Sequence, residues 1–318
     1  MNTAQPECLV CAFNEINDTT ALLIRKSQQL ASIQNLPLRL LWAINDKMFS
    51  FEHLDLPELK AEERVQREFS LFAEKHGFSD ISNCDIRFGK PFVEIIRYQN
   101  AVNAKLVVKQ MEEKSWMSNS IASDDFKLLR KCPAPVLLTH SDSDEFPKNI
   151  LVAVDFDRDD STSKDDELNK KMLDTVVHFF DKPETHCTVL NAYSAPQSGF
   201  VSLFADYPDK LVDDMLASEK RFKGGELNML SRYFVEHLKP QYLQNNFKKL
   251  LLQGYAEQLI PQQVEKTEAD LLVIGSVARA GIQGFIMGNT AEEVLSNVKC
   301  DVLTLKPDGF VSPVLATD

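Results

Sequence analysis

Residues Ala269 to Pro307, ADLLVIGSVARAGIQGFIMGNTAEEVLSNVKCDVLTLKP, hold the reading that decides the fold. The run Leu271, Leu272, Val273 and Ile274 is short, apolar and β-branched enough for a buried strand, and it breaks at Gly275. A glycine-bearing loop runs on to Gly288. Asn289 and Thr290 then stand where a helix starts, and Glu293 completes a capping-box pattern with Thr290. Cys300 opens a further strand, Val302 to Leu305. A strand, a glycine loop and a helix start together leave backbone N–H groups and a positive dipole end uncommitted, which suits a phosphate or another anion. The same local pattern also serves as an ordinary strand-to-helix connection, and both readings stand at this point.

Working outward, 318 residues suit two domains of ordinary size, and 44% apolar with 26% charged residues is the composition of a globular protein. The formal charge is −12, from 47 acidic and 35 basic residues, which argues against a broad nucleic-acid or anionic-lipid surface. The opening MNTAQPE shows no export signal, and no run reaches the roughly 18 apolar residues of a membrane span. A cytoplasmic place is therefore expected, and six scattered cysteines fit a reducing compartment better than a disulfide framework. Cys8 and Cys11 lie in a strand-like run, where residues three apart face opposite ways, so no zinc site is expected there.

The chain contains one pattern twice. Leu9 to Phe13 followed by Asn14 matches Ile150 to Val154 followed by Asp155 at an offset of 141. Gly89, Ala104 and Leu106-Val107-Val108 match Gly254, Ala269 and Leu271-Leu272-Val273 at an offset of 165. The second copy thus carries 24 additional residues, which fall around Ala195 to Tyr242. That insertion has enough Phe, Leu, Val and Met to need a surface, either as a lid over a ligand or as packing, with packing favoured. Strands alternate with helical segments in each copy, and the connections are long enough to cross over. The expected fold class is α/β, two tandem doubly wound domains with five-stranded parallel sheets, at residues 1–142 and 148–308.

Ligands of such sheets sit beyond the carboxyl ends of the strands where the strand order reverses. In the second copy that edge presents Asp155 after the first strand, Ala192 late in the second, and the loop from Gly275 to Thr290. A nucleotide fits this edge, with phosphates at Gly275, Gly288, Asn289 and Thr290 and the adenosine end nearer Asp155 and Ala192. Asp155 serves equally well as a plain turn residue. The acidic run Asp155 to Glu167 beside the mouth calls for compensation by magnesium or Arg279. In the first copy Lys109-Gln110-Met111-Glu112-Glu113-Lys114 replaces the glycine loop and Asn14 replaces the acidic residue, so that half is expected to be structural.

This arrangement resembles the universal stress protein family in its tandem-domain type, across essentially the whole chain and most strongly at Leu128 to Leu138 and Gly275 to Pro307. ATP-binding members carry Gly-x-x-Gly, nine further residues, then Gly and Ser or Thr. Here those positions are Gly275, Ala278, Gly288 and Asn289, with Thr290 behind. Ala278 adds a Cβ where the chain should approach phosphate, and Asn289 keeps a polar group without the hydroxyl. The resemblance implies a stress-responsive protein that binds ATP or a related adenine nucleotide, with or without magnesium, through Asp155, Ala192, Ile274, Gly275, Ala278, Gly288, Asn289 and Thr290. It also implies a pseudo-dimer of the two domains, with Val136 to Leu138 beside Val302 to Leu305. Homo-oligomers stay open. An interaction protein, or a carrier of an apolar small molecule, is the alternative. No Walker-type lysine and no Ser-His-Asp spacing is present, so no dedicated enzyme is expected, and slow ATP hydrolysis stays compatible with that.

Overall fold

The computed structural model describes residues 6–45, 58–78, 84–112, 123–140, 145–158, 164–195, 208–276 and 288–315. Ala278, Arg279 and the glycine loop over 277–287 lie outside the described residues. Among the described residues, no helix is long and apolar enough to cross a membrane.

The first copy runs β1 (Cys8–Phe13), α1 (Asp18–Ile33), β2 (Leu38–Asn45), α2 (Glu58–His76), β3 (Cys84–Gly89), α3 (Pro91–Ala101), β4 (Ala104–Gln110), α4 (Asp124–Lys131) and β5 (Val136–Thr139). The second runs β6 (Asn149–Ala153), α5 (Lys164–Phe180), β7 (His186–Tyr193), α6 (Pro208–Arg232), β8 (Phe247–Gln253), α7 (Ala256–Lys266), β9 (Leu271–Gly275), α8 (Asn289–Asn297) and β10 (Asp301–Leu305). The fold is α/β with mostly parallel pairing.

The chain forms two compact units. One holds the described residues before Pro147 and those from Asp301 onward, and the other holds the described residues between them. In the first unit the strand order is β3-β2-β1-β4-β5, parallel throughout, with β10 beyond β5. In the second it is β8-β7-β6-β9, also parallel. The order reverses at β1/β4 and at β6/β9, which are the switch points where such sheets open a crevice. Every residue of β1 is buried, as the continuous apolar run of a strand covered on both faces requires.

The sequence repeat is also a repeat of backbone geometry. Gly89 and Gly254 turn out of β3 and β8 with φ of 150° and 141°, a region that side chains avoid. Asn103 and Glu268, just before β4 and β9, both adopt left-handed conformations at 53° and 48°. Asn17 caps α1 by accepting from Thr20 N at 2.9 Å, and Pro91 opens α3 where its missing N–H costs nothing.

Repeat and compact unit part company at β10, the fifth strand of the second copy. It lies antiparallel to β5, with Val302 opposite Leu138, Leu303 opposite Leu137 and Thr304 opposite Val136. Two buried lysines fix it there. Lys26 of α1 reaches the Asp301 carboxylate at 2.5 Å, and Lys306 donates to Leu129 O at 2.5 Å while lying over the Phe310 ring. The other Asp301 oxygen accepts from His140 N at 2.8 Å. Buried charges held this completely make the docking specific, because removing one partner would strand the other in low dielectric.

Most of the additional length in the second copy is one long crossover helix. α6 spans 25 residues and continues through a π-helical turn, Tyr233–Leu238, to Lys239 in the left-handed region. Its second half packs on the sheet through the buried side chains Leu227, Leu230 and Phe234, and Phe234 stacks on Phe247 at 4.4 Å between ring centres. Residues 196–207 of the expected insertion lie outside the described residues.

Candidate functional site

The parallel register of the second unit sets Ala153 beside both Ile274 and Leu190. Asp155, Ile274, Gly275 and Ala192 therefore all emerge at one strand edge, as the sequence spacing predicts. Ile274 is buried, Ala192 half-buried, and the Asp155 side chain 55% exposed. Gly275 has a packing duty as well. A Cβ there would lie 2.8 Å from Leu168 Cδ2 of α5, so the glycine lets that helix close on the strand.

Asp155 is firmly held. Its own Oδ1 accepts from Phe156 N at 2.9 Å, and the Asn169 amide of α5 donates to its carbonyl at 2.6 Å. Lys223, a buried residue of α6, donates to Asp155 Oδ1 at 2.8 Å and to the carbonyl of Phe156. The sequence reading missed Lys223, whose signal was a single lysine before Gly224-Gly225 inside an amphipathic helix. It sets a positive charge beside the first carboxylate of the acidic run. Beside it Asn191 of β7 is buried and donates to Val154 O at 2.8 Å, while its own Oδ1 has no hydrogen-bond partner among the described residues.

α8 begins differently from the capping-box expectation. Gly288 is the N-cap, with φ −63° and ψ 140°, and Asn289 and Thr290 are exposed first-turn residues. Among the described residues no side chain caps this helix, because glycine has none to offer and Thr290 sits two positions too far in. A helix start of this kind retains amide hydrogens and dipole for an anion, so these residues fit a phosphate group. Among the described residues, no group of three or more His, Cys, Asp or Glu side chains is placed to hold a metal ion.

The corresponding edge of the first unit is filled from within. Lys109 stands where Ile274 stands in the second copy, and it is buried with its ammonium 2.8 Å from Asp125 Oδ1 and 3.0 Å from Gln110 O. Burial works against its charge, but the Asp125 and Glu112 carboxylates outweigh that and hold its pKa above the usual lysine value. Asp125 Oδ2 accepts from Glu112 N at 2.9 Å, so the loop amide already has an anion built into the chain. Asn14 donates to the Glu112 carboxylate, and its carbonyl accepts from Trp42 Nε1 at 3.0 Å. Ser123 caps α4 through Phe126 N. A groove of about 590 Å³, lined by Pro37, Arg39, Gln66, Cys84 and Asp85 among others, opens at the opposite, amino end of β2 and β3.

With this geometry in place, a family model described as "Universal stress protein family" matches residues 147–306. The universal stress protein E homolog of Haemophilus influenzae is 29% identical over 209 residues, 64% of this chain and 63% of that protein, so the match spans less than two thirds of its length. Universal stress protein E of Photorhabdus laumondii is 26% identical over 71% of this chain and 69% of its own. Among solved structures, a functionally unknown protein of Pseudomonas aeruginosa PAO1 superposes with a TM-score of 0.57 at 22% identity, covering 99% of this chain and 97% of that one. A universal stress protein of Archaeoglobus fulgidus gives a TM-score of 0.57 at 13% identity over 94% and 96%. At these identities the two structures speak for the fold alone.

Proposed function

This chain belongs to the universal stress protein family, a family of stress-response proteins, and from that premise we propose that its second unit senses an adenine nucleotide at the carboxyl edge of β6 and β9. One observation carries this reading. In the first unit the Asp125 carboxylate occupies the loop amide and the buried lysine, whereas α8 of the second unit buries Ala291 in its first turn and starts at an uncapped Gly288. A helix start without an internal anion is satisfied by an external one.

In this reading Gly288, Asn289 and Thr290 face the phosphates, and Gly275 with Ile274 forms the floor of the crevice. Asp155 accepts from ribose hydroxyls beside Ala192, and Lys223 offsets its charge. Ala278 belongs to the same proposal. Bound ATP would bring its magnesium with it, and the chain's part is to bind and orient rather than to move a proton. A chain of this kind acts in regulation by reporting nucleotide level through its own conformation.

Thermal unfolding of the full chain with and without ATP and magnesium tests the proposal. Ligand at a hundred times its Kd should add about 2.7 kcal/mol of stability, a rise of several degrees. Gly288→Trp, which fills the phosphate position, should remove that shift. An equal shift in Gly288→Trp, or none in the unsubstituted chain at millimolar ATP, would overturn it.

A further inference from the structure

The two halves of α6 are held by different forces. Past Gly225 the helix is anchored in the core by Leu227, Leu230 and Phe234, and Tyr233 donates to Asp174 at 2.7 Å. The carboxylate of Asp181 then fixes the turn beyond the helix by accepting from the backbone amides of Gln241, Tyr242 and Leu243. Before Lys223 no residue over 209–222 is buried. Among the described residues that half is tied down by polar contacts to the turn after β6. Arg158 Nε reaches Glu219 at 2.7 Å, its Nη2 donates to Ser218 O at 2.7 Å, and its guanidinium lies 4.7 Å from the centre of the Phe222 ring. Lys223 on Asp155 completes the set.

Gly224 and Gly225 lie between the halves. A Cβ on Gly224 would come within 3.3 Å of Leu251 Cδ2, so packing against β8 explains a small residue there. A Cβ on Gly225 would meet nothing within 4 Å among the described residues, so packing there leaves that glycine unexplained. Glycine inside a helix costs about 1 kcal/mol relative to alanine, and a glycine pair is a place where helices bend.

We infer that residues 209–222 form a lid on the strand edge of the second unit, hinged at Gly224–Gly225 and latched by Arg158 on Glu219 and Lys223 on Asp155. The inference rests on the nucleotide reading for its ligand but not for its hinge. Asp155 is both the latch for Lys223 and the proposed acceptor for ribose hydroxyls, so a ligand there competes with the latch and its arrival is passed to α6. Ligand binding and lid position are then two readings of one carboxylate.

Hydrogen–deuterium exchange of the full chain, read separately over 209–222 and 226–238, tests this. Arg158→Gln should speed exchange over 209–222 on the order of fivefold and leave 226–238 unchanged, as expected for losing a partly exposed ion pair together with its ring contact. Gly225→Ala, which adds a methyl into open space, should slow exchange over 209–222 while the fold stays intact. Both segments exchanging as one in every variant would overturn the hinge. ATP with magnesium should change protection over 209–222. ATP that stabilises the chain without altering 209–222 would overturn the lid and leave the nucleotide reading standing. No ATP effect on unfolding, with the Arg158 and Gly225 effects present, would overturn the nucleotide reading and support the hinge.

Discussion

The carboxyl edges of the two sheets start from one backbone plan and satisfy it in opposite ways. At the first, Lys109, Asp125, Glu112, Asn14 and Trp42 form a closed set in which the loop amide and the buried ammonium share one internal carboxylate. At the second, Ile274 and Gly275 take the places of Lys109 and Gln110, the helix start falls on a glycine that offers no side-chain cap, and the crossover helix brings Lys223 onto Asp155. Duplication preserved the turns, glycine for glycine and left-handed residue for left-handed residue. The first edge turns a carboxylate onto its own loop amide, and the second turns one onto a lysine of the crossover helix.

The largest effect should come from breaking the internal anion. Asp125→Ala leaves Lys109 buried without its main partner and should cost about 3–5 kcal/mol in denaturant unfolding. The double change Lys109→Ile with Asp125→Ala replaces the buried pair as a whole with apolar side chains, the first as at Ile274 of the second unit. It should recover most of that loss, since a buried pair replaced as a whole is often nearly neutral. Additive losses in the double variant would break the comparison.

A smaller effect is expected at Gly275. Alanine there pushes on the flexible end of Leu168 and should cost about 1 kcal/mol, at the low end for overpacking. Its counterpart Gln110 already carries a side chain, so Gln110→Ala should change stability by well under half of that. Equal urea midpoints for the two variants would remove Gly275 as a closing point.

The smallest effect is a pH dependence within the first unit. Burial lowers the His140 pKa below its ordinary 6.5, while the Asp301 and Asp125 carboxylates pull the other way without overcoming it. The unfolded chain therefore takes up this proton first. The histidine's contribution is complete above pH 6.5 and is lost as pH falls through the folded value. Unfolding measured at pH 7.5 and pH 5.5 should show a shallower loss in His140→Gln than in the unsubstituted chain. Parallel slopes would exclude this histidine as the source.

Much of this was legible along the chain. The strand runs, the two offsets, the degenerate first loop and the alignment of Asp155 with Ile274, Gly275 and Ala192 all follow from apolar periodicity and glycine placement. The capping box at Thr290 was misplaced by two positions, because a Thr-x-x-Glu spacing does not say which residue leaves helical geometry first. Lys223 could not be assigned, since a lysine on an amphipathic helix looks the same whether it reaches water or a carboxylate 68 residues away in sequence.

By itself the sequence determined the α/β class, the repeat and the loss of the glycine loop in the first copy. These depend on local period and on backbone freedom, which each residue carries with it. Tertiary structure alone decided that β10 docks against β5 and that an aspartate of the helix after β4 acts as the first edge's anion. It also decided that a lysine from a crossover helix sits on Asp155. Each of these is a pairing of charges or strands far apart in the chain, and its energy exists only once folding has removed the water between them.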